Sequence, residues 1–401
     1  MSEQVDTPQL QPPNSPLSLA LWNFTSQWFL VPQGTGILAV ILARLDYQFN
    51  GLQILAKIVW IYTIVLFGLC LIIYLLRVHI YPKHALHELR TNLIETSCLS
   101  SIPIVYTSIL QLAVLQYGDR AGLAIYILWW RNAAIATIAA LGIPYIQLKI
   151  QAPGVQRLPP AVLLPFIAII TSAAGAGVIS RQSHVSPRLQ VPAIIVAYLQ
   201  LGIGLAVAAS YAVLVMFQHF NQVHSVAEKV FQDMILCGPF GQGAFALQVL
   251  GEAVEESFGA YHRGKFLTAK AADTIGVTSQ FLGLLTWGYG VFWWCFAILS
   301  ICHTLGAQPR GGRKPPFSLA AWSIIFPWGV FTNAAVELGK IMDSPAFAVV
   351  STGLLLIMLV MWIFNQVLTL RGILTGRILG VEHWREREQS LDSFRGGDKD
   401  A

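Results

Sequence analysis

Charged residues are scarce in this 401-residue chain: Asp, Glu, Lys and Arg together make up 11% of it, against 55% hydrophobic residues. So little charge cannot cover the water-facing surface of a chain this long, which excludes a soluble globular protein. Cysteine is nearly absent as well. The five present, Cys70, Cys98, Cys237, Cys295 and Cys302, lie in or beside apolar stretches with no paired spacing, which excludes a disulfide framework and a zinc site and leaves packing roles. Histidine is missing from the interiors of the apolar runs, because His79, His84, His87, His184, His219, His224, His262, His303 and His383 all fall in loops or at run ends. Nor does any pair of His, Asp or Glu stand near the middle of a run, where an intramembrane enzyme would need one. No catalytic residue, metal or cofactor is therefore implied. Residues 1–26 lack Lys and Arg entirely, carry Glu3 and Asp6, and hold four prolines by Pro16. That pattern excludes a removable signal peptide and reads as a disordered tail. The net charge of +5 is dispersed over loops and a tail rather than gathered in a stripe, which excludes a nucleic-acid partner.

Long apolar runs are what the chain has instead. Runs of about 20 residues or more match the helix length that crosses roughly 30 Å of hydrocarbon. They predict ten transmembrane helices at 27–44, 52–76, 97–117, 122–147, 160–180, 190–218, 230–254, 275–305, 317–341 and 346–370. The expected organisation is a tail over 1–26, a ten-helix transport domain over 27–370 and a charged tail over 371–401, in which His383–Gln389 has the composition of an exposed helix. An even number of crossings puts both termini on one side. With the N-terminus inside, the inner segments hold fifteen Lys and Arg and the outer ones eight, so the positive-inside rule makes both termini cytoplasmic. The triplet Asn23-Phe24-Thr25 then lies on the wrong face for glycosylation.

Proline is distributed by rule. Pro32, Pro103, Pro165, Pro239 and Pro327 place one in every odd-numbered span, while Pro144 and Pro192 lie only near the ends of even ones. A proline inside a span frees a carbonyl that neighbours or water must satisfy. The odd spans also concentrate small residues, among them Gly34, Gly36, Gly175, Gly177, Gly238, Gly241, Gly243 and Gly329. The simplest architecture is all-α: five helical hairpins around a central pore, with kinked odd helices lining it and straighter even helices facing lipid or partner subunits. Close packing alone is the other reading of the small residues.

These segments resemble a known family. Trp28–Gly36, WFLVPQGTG, is similar to the opening helix of the tellurite-resistance/dicarboxylate transporter family, in the slow-anion-channel-like superfamily, whose branches include bacterial tellurite-resistance proteins, plant slow anion channels, yeast malate permease and fungal sulfite efflux pumps. Leu75–Tyr81, Leu128-Trp129-Trp130, Cys237–Phe245 (CGPFGQGAF) and Ala321–Thr332 (AWSIIFPWGVFT) look most like the sulfite efflux branch, in an order that covers roughly residues 24–370. The resemblance implies ten helices around a central pore, a homotrimer, and a phenylalanine of the ninth helix plugging the conduit, a position that Phe326 matches. Packing in a hydrophobic bundle is the alternative role for that ring.

An anion in such a pore must exchange its hydration for dipoles, and several modest donors suit passage better than fixed cations. Gly34, Thr35 and Gly36, Thr171 and Ser172, Gly241, Gln242 and Gly243, and Thr332 and Asn333 supply uncharged groups at intermediate depth in the odd spans. Arg131 follows Trp129 and Trp130 well inside the fourth span, where the sulfite-pump relatives tend to have an apolar residue and then an acid; this chain reads Arg131-Asn132. It reads either as positive potential near an outer vestibule, or as half of a buried pair or a side chain reaching for the headgroups. Lys57 reads as interfacial, and Glu337 with Lys340 as a local surface pair. The expected function is transport of a small anion, sulfite exported across the plasma membrane first and a C4 dicarboxylate such as malate second. A membrane enzyme or receptor is the reading from another class.

Overall fold

The computed structural model describes residues 12–13, 15–155, 158–221, 230–306 and 317–382. Among them the regular structure is helical, with one isolated bridge between Arg263 and Leu267. The α-helices are α1 (Pro16–Trp22), α2 (Leu30–Arg44), α3 (Leu52–Ile80), α4 (Pro82–Thr91), α5 (Leu93–Cys98), α6 (Ser101–Ile146), α7 (Leu164–Gln182), α8 (Pro187–Phe220), α9 (Gly238–Tyr261), α10 (Ala269–Gly306), α11 (Ile325–Ile341) and α12 (Pro345–Leu374). Nine segments of the described residues are long and apolar enough to cross a bilayer. This is an all-α membrane protein.

One of the nine, Leu93–Gln151, is 59 residues long, while a single crossing needs about 20. Its backbone breaks at Tyr117 (φ −136°, ψ 16°). Asn132 Nδ2 donates to Thr107 Oγ1 at 2.7 Å and to the Pro103 carbonyl at 3.0 Å. In a straight helix residues 25 apart are about 37 Å apart, so the two halves of α6 lie side by side as a hairpin. Glycine lets this bend pack against the end of α7, since a Cβ at Gly118 or Gly122 would collide with the backbone carbonyl of Gln182 or Ser183. The break falls at the end of the helix expected over 97–117.

Burial alternates along the chain. The most apolar windows of Pro160–Gln182, Val230–Tyr261 and Leu319–Ile341 are wholly buried and that of Ser26–Arg44 is 89% buried, against 17% in Leu52–Ile80 and Ala269–Gly306 and 22% in Pro345–Leu374. The odd runs form an inner group. The even ones form an outer shell whose exposed Ile, Leu and Phe have no water to avoid once lipid surrounds them.

Each inner run is built in two pieces. A 3₁₀ lead-in, Ser26–Phe29, Pro160–Leu163, Val230–Cys237 or Leu319–Ile324, passes directly into α2, α7, α9 or α11, and the run through α6 begins with α5 and a break at Leu99-Ser100. The prolines fall on these joints: Pro165 and Pro239 are second in their α-helices, and Pro32, Pro103 and Pro327 third. A first-turn N–H has no intrahelical partner, so proline costs nothing there. The expected mid-helix kinks are thus joints between two helix types.

Order begins before residue 27. Ser15 caps α1, accepting from Ser18 N at 3.2 Å, with Pro16 in the first turn. Trp22 stacks on His84 at 3.8 Å between ring centroids and Asn23 Nδ2 donates to the Leu379 carbonyl at 3.0 Å, so α1 is held between α4 and the end of the chain. This departs from the disordered tail expected over 1–26. At the other end α12 runs past 370 to Leu374, while the helix expected over His383–Gln389 lies outside the described residues.

Candidate functional site along the inner helices

The inner helices meet start to start and end to end. Near their N-termini, Gly34 of α2 backs onto Ile325 and Trp322, and Gly238 of α9 onto Ile167 and Pro327. At the other ends Arg44 pairs with Glu337 and Arg181 with Glu252. The first half of α6 joins the group through Ser108 against Gly36 and Thr107 against Gly175. Helices α2, α7, α9, α11 and this half of α6 therefore run parallel, each starting its α-helix partway along the span. Five N-terminal partial positive charges are gathered at that level, an arrangement that favours an anion.

Among the sequence-derived candidates the structure separates three groups. The hydroxyls of Thr35, Thr171 and Thr332 donate to their own helices, at the carbonyls of Val31 (2.8 Å), Ile167 (2.7 Å) and Trp328 (2.9 Å), so their protons are engaged. Gly34, Gly36, Gly241 and Gly243 are buried against Ile325, Ser108, Phe331 and Leu205, respectively. At Gly241 a Cβ would lie 2.8 Å from the Phe331 backbone nitrogen, so close packing is its role. Ser172, Gln242 and Asn333 form the third group, each buried and each with a polar side-chain atom lacking a partner. Gln33 and Gln111, which sequence reasoning passed over, share both properties. At least one such residue stands on each inner run, and Ser101, Ser180 and Gln248 add further ones on α6, α7 and α9. An unpartnered buried polar group costs about 1–3 kcal/mol, so each of these calls for a polar partner that the protein itself does not supply. An amide inside an apolar run was the available signal.

Phe326, 2% exposed, is the second residue of α11. It packs in the apolar cluster that includes Phe29, Phe166, Ile167 and Phe240. The residues preceding the five inner prolines are Val31, Ile102, Leu164, Gly238 and Phe326, so the α11 joint is the one that carries a ring. Helical spacing puts Val330, Asn333 and Glu337 on the same face of α11 as Phe326. Arg131 stands apart from all of these. It is exposed on the second half of α6, with Ile127, Ile135 and Ile138 exposed on the same helix, and the structure does not bring it to the inner helices.

A charged cluster that sequence reasoning missed closes the C-terminal end. Glu337, expected as a surface partner of Lys340, is 2% exposed and pairs with Arg44, while Lys340 Nζ donates to the Arg44 carbonyl at 2.6 Å. Arg181 bridges Glu252 and also Glu256, at 2.9 Å for the latter. Arg44 lies 5.1 Å over the Phe245 ring, joining α2 to α9. The partners are far apart in sequence, 293 residues for Arg44 and Glu337, which is why they read as loop charges.

The profile of the SLAC1 voltage-dependent anion channel family matches residues 23–370, the span of all the inner helices. The chain belongs to this family. Within it, the chain is 29% identical to the sulfite efflux pump SSU1 of Arthroderma benhamiae over 357 residues, covering 88% of this chain and 91% of that one. The figures are the same for the sulfite efflux pump SSU1 of Trichophyton rubrum. A malic acid transport protein of Schizosaccharomyces pombe is 25% identical over 369 residues, covering 90% of this chain and 81% of that protein. As a member of the SLAC1 family, the protein transports anions across a membrane and is not an enzyme.

Proposed function

We propose that the protein exports sulfite across the plasma membrane, through a conduit lined by the odd helices and gated by Phe326. The observation that carries this reading is the convergence of five helix N-termini with at least one unpartnered buried polar residue on each of the five runs. Ser172, Gln242 and Asn333, with Gln33 and Gln111, act as the modest sites of the path, and several weak sites allow an anion to leave as readily as it binds. The SSU1 relatives carry the choice of sulfite. Both termini are cytoplasmic in this reading, the cluster at Arg44 and Arg181 faces outward, and the working assembly is a homotrimer.

Malate is the second reading, favoured by one observation. A dicarboxylate is served by two separate cationic contacts, and Arg44 and Arg181, on different inner helices, would supply them where they pair with Glu337 and Glu252. Flux in proteoliposomes containing the purified protein separates the two. Sulfite flux without malate flux is the expected result; malate flux alone assigns the same conduit to dicarboxylates.

A further inference from the structure

The conduit faces do not end in open solvent. On α11 the face that starts with Phe326 and passes Asn333 ends at Glu337, and on α2 the residues one, two and three turns before Arg44 lead back to Gln33. Arg181 and Glu252 stand at the same end of α7 and α9. Charged residues near the C-terminal ends of four inner helices are therefore paired at one end of the bundle, α2 with α11 and α7 with α9.

We propose that Arg44 and Arg181 form an anion-binding site at this mouth and that Glu337 and Glu252 occupy it as built-in stand-ins, so that a small oxyanion leaves the conduit by displacing a carboxylate from an arginine. The proposal rests on the reading of the inner helices as an anion path. Three features carry it. The guanidinium fork matches a carboxylate and an inorganic oxyanion equally well, so one can replace the other without rebuilding the site. Arg44 Nε is buried and has no hydrogen-bond partner, although its terminal nitrogen is paired with Glu337, which leaves a donor for a ligand larger than the carboxylate. Finally, Arg44, Arg181 and Lys340 are matched in number by Glu252, Glu256 and Glu337, with Asp46 beside Lys340, so the mouth carries no excess positive charge until a carboxylate gives way. Side-chain exposure of 26% for Arg181 and 21% for Glu252 makes this pair the more yielding of the two.

The competing role is mechanical, with arginines and lysine offsetting the C-terminal helix dipoles and tying four helices together. Concentration dependence separates the two roles, because a lock holds the fold whatever the substrate concentration. Sulfite and malate flux would be measured against concentration in proteoliposomes for wild type, Glu252→Gln, Arg181→Gln and Arg181→Lys. Thermal unfolding of each purified protein, with and without sulfite, accompanies the flux. The displacement site predicts that Glu252→Gln lowers the half-saturating concentration about threefold or more and enlarges the stabilisation by sulfite. Arg181→Gln is expected to raise that concentration about tenfold, and Arg181→Lys to fall between. Unchanged half-saturation in folded variants, with flux altered only through maximal rate or unfolding temperature, would overturn the site and leave the anion path standing. A folded wild type that carries neither anion would overturn both.

Discussion

Arg77 and Glu95, each 1% exposed, show how closely single residues are constrained here. The Glu95 carboxylate accepts from Arg77 Nη1 at 2.5 Å, Ser26 N at 2.8 Å, Ser26 Oγ at 2.9 Å and Tyr74 OH at 3.2 Å, while Arg77 Nε donates to the Trp22 carbonyl at 3.2 Å. Every group in the network has a partner, and it joins α1, the first inner run, α3 and α5. Removing one member strands a buried charge. Arg77→Ala is therefore expected to destabilise by about 3–5 kcal/mol, seen as lost detergent-stable protein and a lowered unfolding temperature, whereas a surface-like loss under about 1 kcal/mol would contradict the network. Gly118→Ala, which drives a Cβ into the Gln182 carbonyl, is expected to cost about 1–3 kcal/mol or more by the same measurement. Neither residue was legible as special in the sequence: Arg77 reads as a loop cation, and Glu95 stands just before a run whose polarity draws no notice.

At the scale of elements, α1 and α6 carry the lessons. Helix α1 is only seven residues long and is kept by its docking, with Trp22 stacked on the His84 ring. Burial, then the nearby Arg77, holds the His84 imidazole below its ordinary pKa. The docked state thus favours neutral His84. Its contribution is full above the usual histidine range near about 6.5 and is lost as the pH falls through the lowered value. Hydrogen exchange over Pro16–Trp22 is expected to speed up between about pH 7.5 and pH 5, and His84→Phe, which keeps a ring for the stack, to lose that acceleration. Equal pH dependence in the variant would place the effect elsewhere. For α6 the two apolar runs and the break between them were readable from hydropathy, but the pin was not. Asn132, where the sulfite-pump relatives tend to have an acid, binds the Pro103 carbonyl and Thr107 and so holds the hairpin shut. Asn132→Ala is expected to lower the unfolding temperature while leaving the half-saturating anion concentration unchanged, since the Asn132 amide is engaged within the α6 hairpin.

Across the whole molecule, what was legible follows from periodic constraints that one sequence carries openly. Bilayer thickness sets run length, and the alternation of proline-bearing and proline-free runs separates inner from outer helices, as burial shows in Pro160–Gln182 against Leu52–Ile80. What stayed hidden depends on which distant residues meet. The charged cluster joins positions 71 and 293 residues apart, and the freedom of Gln33 or Asn333 against the self-bonded hydroxyls of Thr35 or Thr332 is a matter of rotamer and neighbour, not of residue type. Arg131 drew attention by its depth in a run and lies on the exposed surface, because depth says nothing about which face a residue takes.

The central claim, that the inner helices enclose an anion path closed at the α11 joint, is tested most directly by anion conductance of Phe326→Ala beside wild type at matched protein density in planar bilayers. Removing a packed ring costs about 3–5 kcal/mol of stability if packing is its only role, so the unfolding temperature of both proteins is measured alongside. The account predicts a conductance increase of about tenfold or more, equivalent to lowering the barrier by about 1.4 kcal/mol. Unchanged or reduced conductance from a variant that remains folded would contradict it and return Phe326 to the core.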